Sequence, residues 1–99
     1  MTKVICFLND GNVYCDISGH SDYKNPDTDN NDVCVAVSTL VCMLVRYMKS
    51  IGIDPDICED GHVLFNRMSQ SKTTRAVFEA ALIELEALEE DYPEHVKIY

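Results

Sequence analysis

Alternating apolar and polar residues open the chain. Val4, Cys6 and Leu8 share one face of a strand from Lys3 to Asn9, and Val13, Cys15 and Ile17 one face of a second from Asn12 to Gly19. Asp10-Gly11 between them is a tight-hairpin signal, since such turns need backbone conformations that Gly and Asp tolerate. Ser21 to Asn31 breaks the pattern. Apart from Tyr23 and Pro26 it is polar throughout, and it reads as a loop that is long for a 99-residue chain. From Val33 to Ser50 apolar residues dominate over about three strand lengths. Asp and Asn before this run, Arg46 and Lys49 near its end and Gly52 beyond it are helix boundary signals. The helix is apolar nearly all round, so burial on more than one side is expected. Ile53 to Cys58 and His62 to Met68 form a second hairpin around Glu59-Asp60-Gly61. Lys72 to Asp91 is a second helix with the apolar stripe Phe78, Ala81, Leu82, Leu85 and Leu88, ended by Tyr92-Pro93. Val96 to Tyr99 completes the chain as an edge strand. The order β-β-α-β-β-α-β predicts a single α+β domain over residues 1–99, a small mixed sheet of two hairpins carrying two helices. So small a domain can hardly bury its first helix alone, so a homodimer through that helix is expected.

Composition narrows the function. At 46% hydrophobic and 25% charged residues the chain matches an ordinary soluble globule. Met1 to Ile5 lacks the apolar core and small-residue cleavage site of a signal peptide. The run from Val33 to Met48 is interrupted by Ser38, Thr39 and Arg46 and is short for a membrane span. A cytoplasmic protein with no membrane partner is the expectation. A net charge of −9 argues against direct nucleic-acid binding, which needs clustered Lys and Arg, and suits a basic protein partner. The five cysteines show no C-x-x-C spacing, so neither a disulfide framework nor a zinc site is expected. If the first hairpin has a two-residue turn, Cys6 faces Cys15 across it, and a reduced, packed pair is expected there.

One cysteine stands apart. Cys34 falls two or three residues inside the first helix, where unpaired backbone N–H groups and the helix dipole favour a thiolate. Cys42, two turns on among Val41, Met43 and Leu44, reads as inert packing. His20 ends the second strand, and a strand end and a helix start joined by one loop lie on the same edge of a layered fold. A neutral imidazole there could deprotonate the thiol and later protonate a leaving amine. Asp22 or Asn31 could orient His20, and the sequence does not choose between them. The residues alone leave open a surface histidine and a buried helix cysteine. Asp27-x-Asp29-x-Asn31 starts like a calcium loop, but Asp32 stands where Gly is required and Ser38 where the closing Glu should be. Cys15, His20 and Cys34 lack metal-ligand spacing, so no metal or cofactor is expected, and His62 and His95 have no obvious partner.

At these residues the chain resembles the ribosomal-processing cysteine proteases (Prp, the YsxB-like proteins). Their pattern is Gly-His, a variable loop, then Gly-x-Asp-hydrophobic-Val-Cys-Ala-Ala-Val-Ser. Here it reads Gly19-His20, the loop, and Asn31-Asp32-Val33-Cys34-Val35-Ala36-Val37-Ser38. Glu59-Asp60-Gly61 and Tyr92-Pro93 also match, so the likeness covers nearly the whole chain. It implies Cys34 as nucleophile, His20 as its base, the loop Ser21 to Asn31 as a cover over bound peptide, and a homodimer. It also implies a substrate, an N-terminal extension of large-subunit ribosomal protein number twenty-seven. The helix start departs from the pattern. Asp29 or Asn30 replaces the family Gly, Asn31 replaces its Asp, and polar Asp32 takes the hydrophobic position; the loop is also about two residues longer than usual. This departure keeps a rival reading open, a non-catalytic ribosome-associated binding module of the same fold, with a thiol redox sensor as a third.

Overall fold

The computed structural model describes residues 1–9 and 11–99. Asp10, half of the expected first turn, lies outside them. Strands β1 (Thr2–Asn9) and β2 (Asn12–Ser18) pair antiparallel with Asn9 opposite Asn12, and Gly11 takes φ +81°. Helix α1 spans Asp32–Ser50, β3 Ile57–Glu59, β4 His62–Arg67, α2 Lys72–Asp91 and β5 Val96–Ile98. The sheet order is β3-β4-β2-β1-β5, antiparallel except that β5 runs parallel to β1 at the edge. This is the expected α+β fold with a mixed sheet.

Register explains which face is covered. Val4 lies opposite Ile17, Cys6 opposite Cys15 and Leu8 opposite Val13, and Cys15 and Ile17 in turn face Phe65 and Val63 of β4. Both helices pack on this apolar face. Val33, Val37, Leu44 and Met48 of α1 join Phe78, Ala81 and Leu85 of α2 in one core with Val4, Val13, Cys15, Ile17, Phe65 and Val96. Phe65 and Phe78 meet edge to face at its centre, ring centroids 5.6 Å apart. Cys6 and Cys15 are free thiols facing each other. Their hydrogen bond lowers the Cys6 pKa, while that bond and burial raise that of Cys15.

The helix ends follow local chemistry. Asn31 caps α1 by accepting from the Cys34 N–H at 3.0 Å, and Ser71 caps α2 by accepting from the Thr74 N–H at 3.2 Å. At the C-terminus of α1, Gly52 (φ +83°) donates to the Lys49 carbonyl and Ile53 to that of Met48, the paired bonds that satisfy a helix end. With Asp32 and Ser50 included, α1 reaches 19 residues and, by length and composition alone, is long and apolar enough to cross a membrane. Its Val33, Val37, Leu44 and Met48 are instead buried in the core. Val35 and Met43, on the opposite side, are exposed.

The second hairpin is shorter than its sequence suggested. Its first arm starts at Ile57 rather than Ile53, and its second ends at Arg67 rather than Met68. Pro55 has no N–H to give a ladder, so pairing begins only at Asp56, whose N–H reaches the Leu64 carbonyl at 2.8 Å. Glu59 pairs with His62, which leaves Asp60 and Gly61 as the turn.

Candidate active site

The site forms where β2 ends and α1 begins. Gly19 (φ +87°) turns the chain out of β2, and the Met1 carbonyl packs so closely against it that no side chain fits. The Gly19 N–H bonds the Gly61 carbonyl at 2.8 Å, and the Met1 ammonium donates to the His20 carbonyl at 2.7 Å. The His20 backbone is thus held between the N-terminus and the β3–β4 turn. Its imidazole lies over Gly61, where a Cβ would stand 2.6 Å from Nε2. Asp60 places Oδ1 3.7 Å from the same nitrogen, but their side chains are 99% and 62% exposed, so the pair is weak.

Ser21, next to His20, is buried, and its carbonyl joins the two halves of the site. It accepts from Asn31 Nδ2 at 2.7 Å and from the Cys34 thiol at 3.6 Å. Asn31 therefore does two jobs with one side chain, capping α1 through Oδ1 and tying the helix start to the His20 strand through Nδ2. Cys34 is half-buried at the third position of α1. His20 and Cys34 line one groove of about 420 Å³. Its floor is Ile17, Val37, Val41, Val45 and Val63, with the β3–β4 turn as the far wall.

The remaining candidates separate. Asp22 does not orient His20; it accepts from His95 Nδ1 at 2.9 Å, a bond that holds its carboxyl below the usual carboxylate range. Asn31 turns to the helix rather than the imidazole. Among the described residues the carboxylate nearest His20 is Asp60, missed because it lies 40 positions away in what the sequence showed only as a hairpin turn and a family match. His62 and His95, without partners in the sequence reading, pair with Asp16 at 2.8 Å and Asp22 at 2.9 Å. Cys42 is not inert packing: it is exposed, because positions 34, 38 and 42 share the face of α1 that lines the groove. Among the described residues no His, Cys, Asp and Glu cluster could hold a metal ion.

The loop from Ser21 to Asn31 is tied down along its length. Tyr23 meets Tyr92 and His95 edge-on with centroids at 5.0 and 5.4 Å, and loss of water against them raises its hydroxyl pKa. Asn25 accepts from the Asp27 and Thr28 N–H groups and donates to Asp32 at 2.7 Å. Asp29 adopts φ +61°, the left-handed conformation for which the family pattern has Gly available. Among the described residues the loop contributes nothing to the groove lining, and its visible work is to brace His20 and the start of α1.

The family model for the cysteine protease Prp matches residues 1–97. The chain belongs to this family. It is a cysteine-type peptidase. Its fold is similar to that of the ribosomal processing protease Prp of Staphylococcus aureus bound to a covalently linked product peptide. Identity is 25% and the TM-score 0.77, covering 99% of this chain and 97% of that one. The same staphylococcal protease with a substrate peptide matches at 24% identity and TM-score 0.74, over 100% of this chain and 98% of that one. A Streptococcus mutans protein shares the fold at 24% identity and TM-score 0.72, over 99% of this chain and 91% of that one. No curated protein sequence matches. For a peptidase of this class, the chemistry available in the groove is a thiol at a helix N-terminus and an imidazole lining the same groove.

Proposed function

We propose that this chain, as one domain, is a cytoplasmic endopeptidase that removes a short N-terminal extension from large-subunit ribosomal protein number twenty-seven. Cys34 is the nucleophile and His20 its base. The observation that carries this is the Ser21–Asn31 bracket, which presents the thiol at the start of α1 and the imidazole in the same groove.

The resting thiol donates to the Ser21 carbonyl. His20 takes this proton as the sulfur attacks the scissile carbonyl, then passes it to the departing amine. The Cys34 N–H is engaged by Asn31, so stabilisation of the oxyanion falls to the other amides of the first helical turn. Water then hydrolyses the thioester and returns the thiol. The open groove admits an extended peptide, and the −9 charge favours approach of a basic ribosomal protein. The exposed Val35 and Met43 side of α1 forms the homodimer contact, which sedimentation would show as a dimer lost on Met43→Glu.

Incubation with the host's full-length ribosomal protein, beside Cys34→Ala and His20→Ala, tests the assignment. Both variants are expected to lose cleavage. Cleavage at the wild-type rate by either removes that residue from the mechanism. Because Cys42 and Cys58 are also exposed, thiol labelling alone does not identify the nucleophile, and the residue must be read from the variants.

A further inference from the structure

The stripe of α1 that begins at Cys34 does not end with the valines. It continues through Val37, Ser38, Val41, Cys42 and Val45 to Arg46 and Lys49, all lining the groove that holds His20. Of the eight Lys and Arg, only Lys24 and Arg67 form salt bridges among the described residues, with Asp29 and Asp56, so what sets Arg46 and Lys49 apart is their place in the reactive groove. Arg46 and Lys49 make no salt bridge and no side-chain hydrogen bond among the described residues. The acids of the same groove are Glu59 at the end of β3 and Asp60 in the β3–β4 turn, where Asp60 faces His20. The groove therefore has the Asp60 carboxylate beside His20, and two cations without salt bridges among the described residues towards the C-terminal end of α1.

We propose that Arg46 and Lys49 form a specificity subsite for an acidic residue of the substrate, five to seven positions N-terminal to the scissile bond. The distance follows from helix geometry. Arg46 and Lys49 lie twelve and fifteen residues beyond Cys34, which at ~1.5 Å per residue is about 18 and 22 Å. An extended peptide covers that in roughly five to seven residues at ~3.3 Å each. The N-terminal side is assigned by charge: the basic body of a ribosomal protein is repelled by these cations, so it is the extension that is placed along them. Apolar residues between acid and scissile bond would cover the valine floor.

This inference rests on the peptidase reading. A library of peptides from a digested proteome is treated with the wild type, Arg46→Glu/Lys49→Glu and Arg46→Lys/Lys49→Arg, and new termini are read by mass spectrometry. Synthetic versions of the best site then carry Asp, Asn or Lys at the enriched position. Wild type and the Lys/Arg exchange are expected to favour Asp over Asn by about three- to tenfold in kcat/KM, the range of two partly exposed charge pairs. The preference weakens in high salt. The charge-reversed variant, its fold checked by circular dichroism, is expected to prefer Lys. If that variant misfolds, Arg46→Gln/Lys49→Gln should abolish the preference. Cleavage without acidic enrichment at these positions, or a preference that survives removal of the cations, overturns the subsite and leaves the peptidase standing. Absence of any cleavage by the wild type overturns both.

Discussion

Gly61→Ala probes the site without replacing either reactive side chain. The added Cβ would stand 2.6 Å from His20 Nε2, 3.1 Å from Cδ2 and 3.2 Å from Cε1. Ordinary contact needs about 3.5 Å, so the imidazole must retreat by roughly 1 Å. His20 is well exposed and can swing away at little cost in stability. A displacement of that size in a catalytic group costs on the order of 100-fold in rate. The backbone adds a separate penalty. Gly61 sits at φ +77°, where a Cβ costs about 1–2 kcal/mol. For a domain of this size, each kcal/mol lowers the melting temperature by about 4–8 °C. Gly52 is the internal control, at φ +83° with nothing within 4 Å of its would-be Cβ. Gly52→Ala and Gly61→Ala should therefore lose similar thermal stability, while only Gly61→Ala loses kcat/KM on a cleavable peptide. If Gly61→Ala keeps activity within about threefold of wild type, or if both variants lose it equally, the proposed role of His20 is wrong.

Asn31→Ala removes both the cap on Cys34 and the tie to the Ser21 carbonyl. It should lower stability by about 1–2 kcal/mol in chemical denaturation and reduce kcat more than it raises KM. Asp60→Asn should change kcat/KM by less than about threefold, since the ion pair with His20 is open to water; a far larger loss would make Asp60 a working third member. The Asp22 carboxyl, lowered by its bond from His95, contributes stability above its ordinary value of 3.8, and that contribution is lost as pH falls through the lowered value. Melting curves of wild type and Asp22→Asn should differ at neutral pH and converge in acid, and a constant gap would refute the link.

Much of this protein is legible because neighbours along the chain carry the signal. Alternation in Val4 to Ile17 set the covered face of the sheet, and the stripe from Phe78 to Leu88 marked α2. Asp and Asn residues before Val33 and the stop at Gly52 bounded α1, which placed Cys34 at a helix start from local signals alone; that Asn31 is the cap only the structure shows. The delay of the second hairpin was written in Pro55 and passed over, whereas nothing along the chain could foresee that Cys42 would face the groove. Its apolar neighbours made Cys42 look buried, but an α-helix apolar on several sides does not reveal which side the sheet takes. Partners far apart in sequence were invisible for the same reason. Asp60 and Gly61 against His20, His95 against Asp22, and Arg46 and Lys49 at the end of the reactive groove meet only when sheet order and helix packing are set. Periodicity and capping act over three or four residues and can be read locally. A site is assembled by packing across the whole chain, and only the tertiary structure decides it.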